Sequence, residues 1–216
     1  MEERVTFVSG GLKLAGVLHG PDSRGARERL PAFLVLHGFG SSKDSGGSNQ
    51  RIGACVSAGG WGDGEKKFRK QHESPEAWGR FTAMLAEGRR RRQETGESIM
   101  VPRYDIVPIP PALRGNVAPG SIMEFPFEVI ESMYAFRAND VVGKISPRPL
   151  LLLHPANDSV TPTEQSIDLF RHAGQPTDLH LVAGVDHFVL SEGNTLVVTL
   201  LRNWLDKYFP VSPRSR

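Results

Sequence analysis

An apolar run that ends abruptly in a glycine loop constrains the fold of this chain more than any other feature. Residues 32–36 are all apolar, and His37, Gly38, Phe39 and Gly40 follow at once. Such a run predicts a buried strand of a parallel sheet, and the glycines allow a sharp turn at its carboxyl end. Open α/β sheets bind their ligands at that end. The turn can also aim backbone N–H groups at one point, which suits a developing oxyanion.

Two segments near the C-terminus have the same construction. Residues 148–162 predict a buried strand whose polar exit loop carries Asp158. Residues 177–188 predict a second strand whose exit loop carries His187. Three strand ends therefore offer an anion-stabilising loop, an acid and a base.

In chain order and context these segments resemble the α/β-hydrolase superfamily, in particular the small dienelactone-hydrolase and prolyl-oligopeptidase-like serine hydrolases. The resemblance covers residues 5–37 and about 61–208. It implies an α/β fold with a doubly wound, mostly parallel sheet. It also implies that His37, Gly38 and Phe39 belong to the oxyanion loop, with the Phe39 amide as the donor. Asp158 would then orient the base, which is His187.

The resemblance fails between its two stretches. Residues 40–51, GSSKDSGGSNQR, have the composition of a flexible linker. In the families that the chain resembles, helices and a further strand precede the nucleophile elbow G-x-S-x-G, and no such motif occurs in this sequence. We therefore predict a sheet that is shortened between the third strand and the strand near Ile52.

Residues 51–60, RIGACVSAGG, allow two interpretations. In the first they are the elbow strand, Cys55 replaces the first elbow glycine, and Ser57 is the nucleophile. In the second they are the strand after the elbow, and the glycines from Gly59 onward lead into a lid. The second is favoured, because an elbow is followed by a helix rich in small apolar residues, whereas residues 65–72 are strongly charged. The nucleophile would then be absent.

Residues 61–145 predict a helical lid inserted above the sheet. Apolar residues at helical spacing predict a helix over 75–92, with Ser74 as its N-cap. Five prolines predict an irregular stretch over 101–119, and a second short helix is expected over 125–137. The apolar residues of this insertion either face an acyl or alcohol group or simply attach the lid to the body.

Structural alternatives exist for several of these residues. Four consecutive arginines, 89–92, suggest phosphate binding, but they also complement a helix C-terminus and are more typical of a solvated face. Asp158 alone is more typical of a turn or a cap, and His187 alone of a surface loop. Because these two residues follow successive predicted strands, the triad interpretation is favoured for both. His154 and His180 are expected to be structural histidines.

The flanking elements are also predicted from local pattern. Residues 5–9 and 12–19 alternate apolar and polar around Gly10-Gly11, which predicts an antiparallel hairpin. A helix capped by Thr161 or Thr163 is expected to end near Ala173. A closing helix is expected over 196–209.

Length and composition exclude several classes. The 216 residues predict a single domain, 1–216, and a net charge of +2 gives no field that favours nucleic acid or anionic membrane. The single cysteine, Cys55, is expected to be a small buried apolar residue, and the scattered histidines show no metal-ligand spacing. No metal or organic cofactor is expected. No apolar stretch near Met1 is long enough for a signal peptide or a membrane span, so cytoplasmic residence is the default expectation.

These observations predict a serine hydrolase that acts on small carboxylic esters and, less so, on amides or peptides. The alternative is a non-catalytic or internally deleted α/β-hydrolase-like protein that binds an apolar ligand. Removal of central strands would expose sheet edges, which a second copy could cover by strand pairing. Homo-oligomerisation is therefore a further expectation.

Overall fold

The computed structural model describes residues 2–9, 12–19, 52–190 and 194–210. The chain divides into two compact units, Met1–His37 and Gly38–Arg216. The predicted strand at 32–36 and the predicted oxyanion residues His37, Gly38 and Phe39 lie outside the described residues. The single domain stays a prediction from the sequence.

In the first unit, strands β1 (Glu2–Ser9) and β2 (Leu12–His19) form an antiparallel hairpin. The register places Glu2 opposite His19 and Ser9 opposite Leu12. The predicted hairpin is confirmed, and its first strand begins three residues before the predicted start at Val5.

The second unit alternates strands and helices. Its elements in chain order are β3 (Cys55–Ala58), α1 (Gly64–Gln71), α2 (Pro75–Thr95), β4 (Met100–Pro102), α3 (Arg103–Ile106), β5 (Glu124–Pro126), α4 (Phe127–Tyr134), β6 (Leu150–Pro155), α5 (Glu164–His172), β7 (Thr177–Val182) and α6 (Thr195–Tyr208).

A parallel sheet of order β3-β6-β7 forms the body of this unit. All six residues of β6 are buried, as expected for a strand covered on both faces. On one face Leu151 and Leu153 pack with Trp204 of α6, and on the other Leu152 packs with Leu169 of α5. Helices on both faces confirm the predicted doubly wound α/β architecture.

The segment between β3 and β6 has a hydrophobic cluster of its own. Phe68 of α1, Phe81 of α2 and Phe127 of α4 are buried in it together. The predicted helix at 75–92 is confirmed as α2, and the Ser74 hydroxyl oxygen accepts a hydrogen bond from the Ala77 N–H at 3.1 Å. The apolar positions of α2 and α4 thus pack this inserted segment internally.

Two expectations for this segment were wrong in part. The proline-rich stretch 101–119 is not wholly irregular, because it contains the end of β4, helix α3 and a 3₁₀ turn at Pro111–Asn116. Pro102 ends β4 and Pro111 begins the 3₁₀ turn, positions that need no N–H donor. The second helix, expected at 125–137, is limited to α4, and a short strand, β5, precedes it.

Helix α1 had no sequence prediction. The Asp63 carboxylate caps it by accepting a hydrogen bond from the Lys66 N–H at 3.0 Å. Most of its charged side chains are exposed, but Lys67 and Phe68 are buried. A short helix with two inward positions has too little apolar periodicity to be detected in the sequence.

The four arginines of α2 lie near glutamates. Arg89 is 2.7 Å from Glu131, Arg91 is 2.9 Å from Glu97, and Arg90 and Arg92 have glutamate partners as well. These side chains are largely exposed, so each pair contributes little to stability. The arrangement favours the solvated-face interpretation over phosphate binding.

Candidate active site

Asp158 lies in the loop that follows β6, and its carboxylate organises that loop. Its Oδ1 accepts hydrogen bonds from the backbone N–H groups of Val160 and Thr161, both at 2.8 Å. The Thr163 hydroxyl, expected as a helix cap, instead donates to the Pro155 carbonyl at 2.9 Å. The loop is therefore anchored to the end of its strand, and Asp158 is held in one orientation.

His187 lies in the loop that follows β7, and the structure brings it to Asp158. Its Nδ1 is 3.0 Å from Asp158 Oδ2. An ionised carboxylate only accepts, so Nδ1 carries the proton and Nε2 keeps its lone pair. The Asp158 side chain is fully buried, whereas the His187 side chain is 24% exposed. This geometry leaves an imidazole nitrogen able to accept a proton from a bound group.

Sequence reasoning missed the residues that hold the two loops together. Asp186 Oδ1 accepts hydrogen bonds from the backbone N–H groups of Ser159, at 2.8 Å, and His187, at 2.7 Å. Asp186 Oδ2 accepts one from the Ser159 hydroxyl at 2.8 Å. Asp186 therefore fixes the separation of the acid loop and the base loop. Its position beside His187 in the sequence was the available signal.

His154, at the end of β6, is a second imidazole on Asp158. Its Nε2 is 3.0 Å from the Thr161 carbonyl oxygen and 3.3 Å from Asp158 Oδ2. Both neighbours are acceptors, so Nε2 carries the proton, and Nδ1 accepts from the Ser166 hydroxyl at 2.6 Å. The ring is fully buried. His154 is thus a structural histidine, as expected, with the added role of supporting the carboxylate.

These contacts determine the charge of Asp158. Burial alone would raise the pKa of this carboxyl group. Hydrogen bonds from both histidines and from the Thr161 N–H outweigh that effect and hold its pKa well below the ordinary range. Asp158 is therefore ionised at neutral pH and can stabilise a protonated His187.

Ser57 lies inside β3, in register with Leu152 of β6. No residue other than glycine has a positive φ in the part of the chain that the structure describes. A nucleophile elbow, by contrast, places its serine on a strained turn between strand and helix. The helix after β3, α1, also packs into the inserted segment rather than under the sheet. These features favour the second interpretation, in which β3 follows the elbow position.

The exit loop of β3 nevertheless runs beside His187. Gly59 has a φ of 62°, and a Cβ added there would lie 3.9 Å from His187 Nδ1. A Cβ added at Gly60 would collide with Ser57 Oγ. Gly59 is therefore favoured by its backbone conformation, whereas a side chain at Gly60 would force the Ser57 hydroxyl to turn away. The turn thus has His187 beside Gly59 and Ser57 beside Gly60.

A buried glutamine holds the start of the inserted segment against the body. Gln165 of α5 accepts hydrogen bonds through Oε1 from the Gly62 N–H at 3.1 Å and the Asp63 N–H at 3.0 Å. Gln165 is 4% exposed. The loop between β3 and α1 is therefore fixed next to the sheet.

Lys67 of α1 is a buried cation near the acid. It is 1% exposed, and its Nζ has no hydrogen-bond partner among the described residues. Nζ lies over the rings of Trp61, at 4.4 Å, and Phe68, at 4.1 Å. Burial lowers the pKa of Lys67 to about 7, although the charge of Asp158 acts in the opposite direction. Sequence reasoning missed it, because one lysine among many in a charged stretch gives no signal.

An open cleft of about 560 Å³ lies beside the loop that carries Asp158. It is lined by both the acid loop and the end of α1, including Asn157, Asp158, Val160, Lys70 and Gln71. Such a cleft is large enough for a small organic ligand. Within the described ranges, no group of three or more His, Cys, Asp or Glu side chains could hold a metal ion. In those ranges there is also no helix with the length and apolar character that a membrane crossing requires.

Known structures share this fold. The α/β hydrolase GrgF from Penicillium sp. sh18 superposes with a TM-score of 0.57 and 18% identity, over 76% of this chain and 58% of that protein. DcsB, solved with a substrate analogue, superposes with a TM-score of 0.56 and 16% identity, over 75% of this chain and 58% of that protein. A monoacylglycerol lipase from Paleococcus ferrophilus superposes with a TM-score of 0.51 and 19% identity, over 74% of this chain and 60% of that protein. No protein-family model and no curated protein matches the chain.

The matches cover only part of each known protein. The matched region spans only 58% to 60% of the length of these three proteins. At identities of 16% to 19%, the likeness extends to the fold alone.

Proposed function

This chain has the α/β-hydrolase fold, and we propose that it hydrolyses small carboxylic esters. The observation that carries the proposal is the buried Asp158 carboxylate, 3.0 Å from Nδ1 of His187. That contact fixes the imidazole tautomer and leaves Nε2 with a free lone pair, on a side chain that is 24% exposed. This geometry supports the proposal that Asp158 and His187 are the acid and the base of a Ser-His-Asp arrangement.

The proposed roles follow from this geometry. His187 Nε2 takes the proton of a serine hydroxyl as the oxygen attacks the ester carbonyl, and returns it to the leaving alcohol. Asp158 holds the ring and stabilises the imidazolium. The oxyanion donors are proposed from the sequence at Phe39, in the loop with His37 and Gly38. The inserted segment, 61–145, would act as a lid over the ester.

The nucleophile is the open part of the proposal. Ser57 is the serine that the elbow-like pattern offers, and it lies beside Gly60, next to the glycine that neighbours His187. No hydrogen bond joins Ser57 to His187 in the described residues, so its Oγ would have to approach Nε2 when substrate binds. We therefore propose Ser57 as the nucleophile to be tested first.

The test is covalent labelling of the full chain with a fluorophosphonate, read by intact mass. The wild type is compared with Ser57→Ala and His187→Ala, and Ser121→Ala, which changes a partly exposed serine of the inserted segment, is the matched control. An adduct that is lost only in Ser57→Ala and forms slowly in His187→Ala supports the proposal. A folded wild type without an adduct contradicts it.

A second function is favoured by the position of Ser57 inside a strand. In this alternative the chain binds an apolar ligand without hydrolysing it. The absence of a G-x-S-x-G motif from the sequence is in keeping with loss of the elbow segment. Saturable binding of an ester by a protein that forms no fluorophosphonate adduct would support this alternative. The small-molecule ester partner, homo-oligomerisation and cytoplasmic location stay predictions from the sequence.

A further inference from the structure

Two buried hydrogen-bond donors near the candidate site have no acceptor. Among the described residues, neither Lys67 Nζ nor the indole Nε1 of Trp61 has a hydrogen-bond partner. Buried polar atoms in folded proteins almost always have one, and an exception is often explained by an ion or ligand. Burial of an unpaired charge is more costly still.

The two donors belong to one cluster. The Lys67 ammonium lies 4.4 Å from the centroid of the Trp61 ring and 4.1 Å from that of Phe68. The ring faces attract the cation, but they accept no conventional hydrogen bond from its three N–H groups. The aromatic contacts therefore stabilise the charge but leave the N–H groups of the ammonium without hydrogen-bond acceptors.

The nearby carboxylate is already occupied. Asp158 raises the pKa of Lys67 through its charge, yet its oxygens receive hydrogen bonds from two backbone N–H groups and lie against two imidazoles. His72, at the end of α1, is the other titratable group that feels the Lys67 charge. The positive charge of Lys67 therefore remains without a bonded counter-ion among the described residues.

We propose that Lys67 Nζ and Trp61 Nε1–H bind a carboxylate of the ligand, so that the substrate is an ester that carries a separate carboxylate group. A carboxylate has two oxygens and can accept from both donors at once. The inference rests on the proposed function, because Asp158, the acid of the candidate site, lies within electrostatic range of Lys67.

The cleft gives such a ligand a place to lie. Asp158 and Gln71 both line it, and Gln71 is one helical turn after Lys67, on the same face of α1. The cleft thus extends from the acid loop to the end of α1.

The test measures binding, for which no nucleophile is needed. The probes are succinamic, glutaramic and adipamic acids, each paired with the neutral amide of the same chain length: butanamide, pentanamide and hexanamide. Isothermal titration calorimetry is performed on the full wild-type chain, on Lys67→Met and on Lys66→Met. Lys66 is the matched control, because its side chain is 63% exposed on the same helix and its substitution removes the same charge.

We expect at least one acid to bind about tenfold more tightly than its neutral partner, since a hydrogen bond to a charged group commonly contributes that much. Lys67→Met should abolish the preference, Trp61→Phe should reduce it, and Lys66→Met should leave it unchanged. Circular dichroism of each variant checks that it remains folded.

The proposal is overturned if none of the three pairs shows a preference for the acid, or if the preference survives in Lys67→Met. Absence of binding by every probe also counts against it. These outcomes are independent of the fluorophosphonate result. A labelled protein without acid preference refutes the subsite alone, whereas an unlabelled protein with a Lys67-dependent preference refutes ester hydrolysis alone.

Discussion

Asp158 and Lys67 are both buried charged side chains, and the protein treats them in opposite ways. Asp158 has a hydrogen-bond partner or an imidazole at each carboxylate oxygen. Lys67 has aromatic ring faces and no hydrogen-bond acceptor among the described residues. Burial disfavours the charged form in both cases. The pKa of Asp158 is nevertheless lowered, which favours its charged form, whereas the lowered pKa of Lys67 favours its neutral form.

The difference shows that hydrogen bonding, rather than burial, determines which buried charge is a fixed part of the fold. A carboxylate with several donors is stable without any ligand. An ammonium without acceptors is stable only if it loses its proton or gains an anion. Asp158 thus belongs to the permanent framework of the site, and Lys67 to a part that a ligand would complete.

The largest expected effect tests the framework role of Asp158. In Asp158→Asn the amide group must turn an NH₂ towards either the backbone donors or the imidazole donors. We expect the free energy of unfolding at pH 7 to fall by about 3–5 kcal/mol, because a buried network loses its acceptor. Urea denaturation measures it, and a loss of less than 1 kcal/mol, below that range, would contradict the framework role.

The difference in stability between wild type and Asp158→Asn should depend on pH. The folded pKa of Asp158 lies below its ordinary value of 3.8, so its contribution is complete above that pH and is lost as the pH falls through the folded pKa. We therefore expect wild type and Asp158→Asn to converge in stability in strong acid, below pH 3.8. Parallel profiles across that range would contradict this assignment.

The next largest effect has the opposite sign. Lys67→Met removes a buried charge and keeps a side chain of similar length. Without ligand we expect it to stabilise the protein by about 2–3 kcal/mol at pH 6, because the uncompensated ammonium no longer has to be desolvated. Urea denaturation of Lys67→Met beside Lys66→Met isolates the buried charge, and destabilisation by Lys67→Met alone would contradict the comparison.

The pH dependence of that gain follows from the pKa of Lys67. Its folded value of about 7 lies below the ordinary 10.5, so the unfolded chain holds the extra proton between these values. The penalty is therefore complete below pH 7 and disappears as the pH rises towards 10.5. The stability of wild type should approach that of Lys67→Met over this window, and a constant difference would count against the assignment.

A smaller effect is expected one contact further from the carboxylate. Ser166→Ala removes the hydroxyl that donates to His154 Nδ1 and leaves that buried nitrogen without a donor. We expect a loss of about 1–2 kcal/mol in unfolding free energy with the fluorophosphonate labelling rate preserved. Loss of labelling without loss of stability would show that His154 does more than support the fold.

The smallest effect is expected for an exposed charge. Arg90 lies on the solvated face of α2, near Glu87 and Glu94. Arg90→Ala should leave the thermal midpoint and the labelling rate unchanged, because exposed pairs are screened by water and salt. A clear change in either quantity would reopen the phosphate-binding hypothesis for the arginine run.

Local patterns in the sequence determined much of the fold and part of the site. The hairpin, β6, β7, α2 and α6 follow from period and from caps such as Ser74, which act within a few residues. Asp158 and His187 were found because each follows a buried strand, and parallel strands bring their carboxyl ends together. Helix α1 and the short elements of 101–119 were not found, because their stability comes from packing in the inserted segment.

The sequence by itself determined the α/β class, the parallel strands and the two residues at their ends, since these depend on period and order along the chain. Only the tertiary structure decided that His154 and Asp186 support those two residues, that Ser57 lies inside a strand, and that Lys67 is buried without a hydrogen bond. These facts depend on how the chain packs, as where Asp186 meets Ser159 and where β3 pairs with β6. Burial and hydrogen bonding, which set the charge of a side chain, exist only once such contacts form.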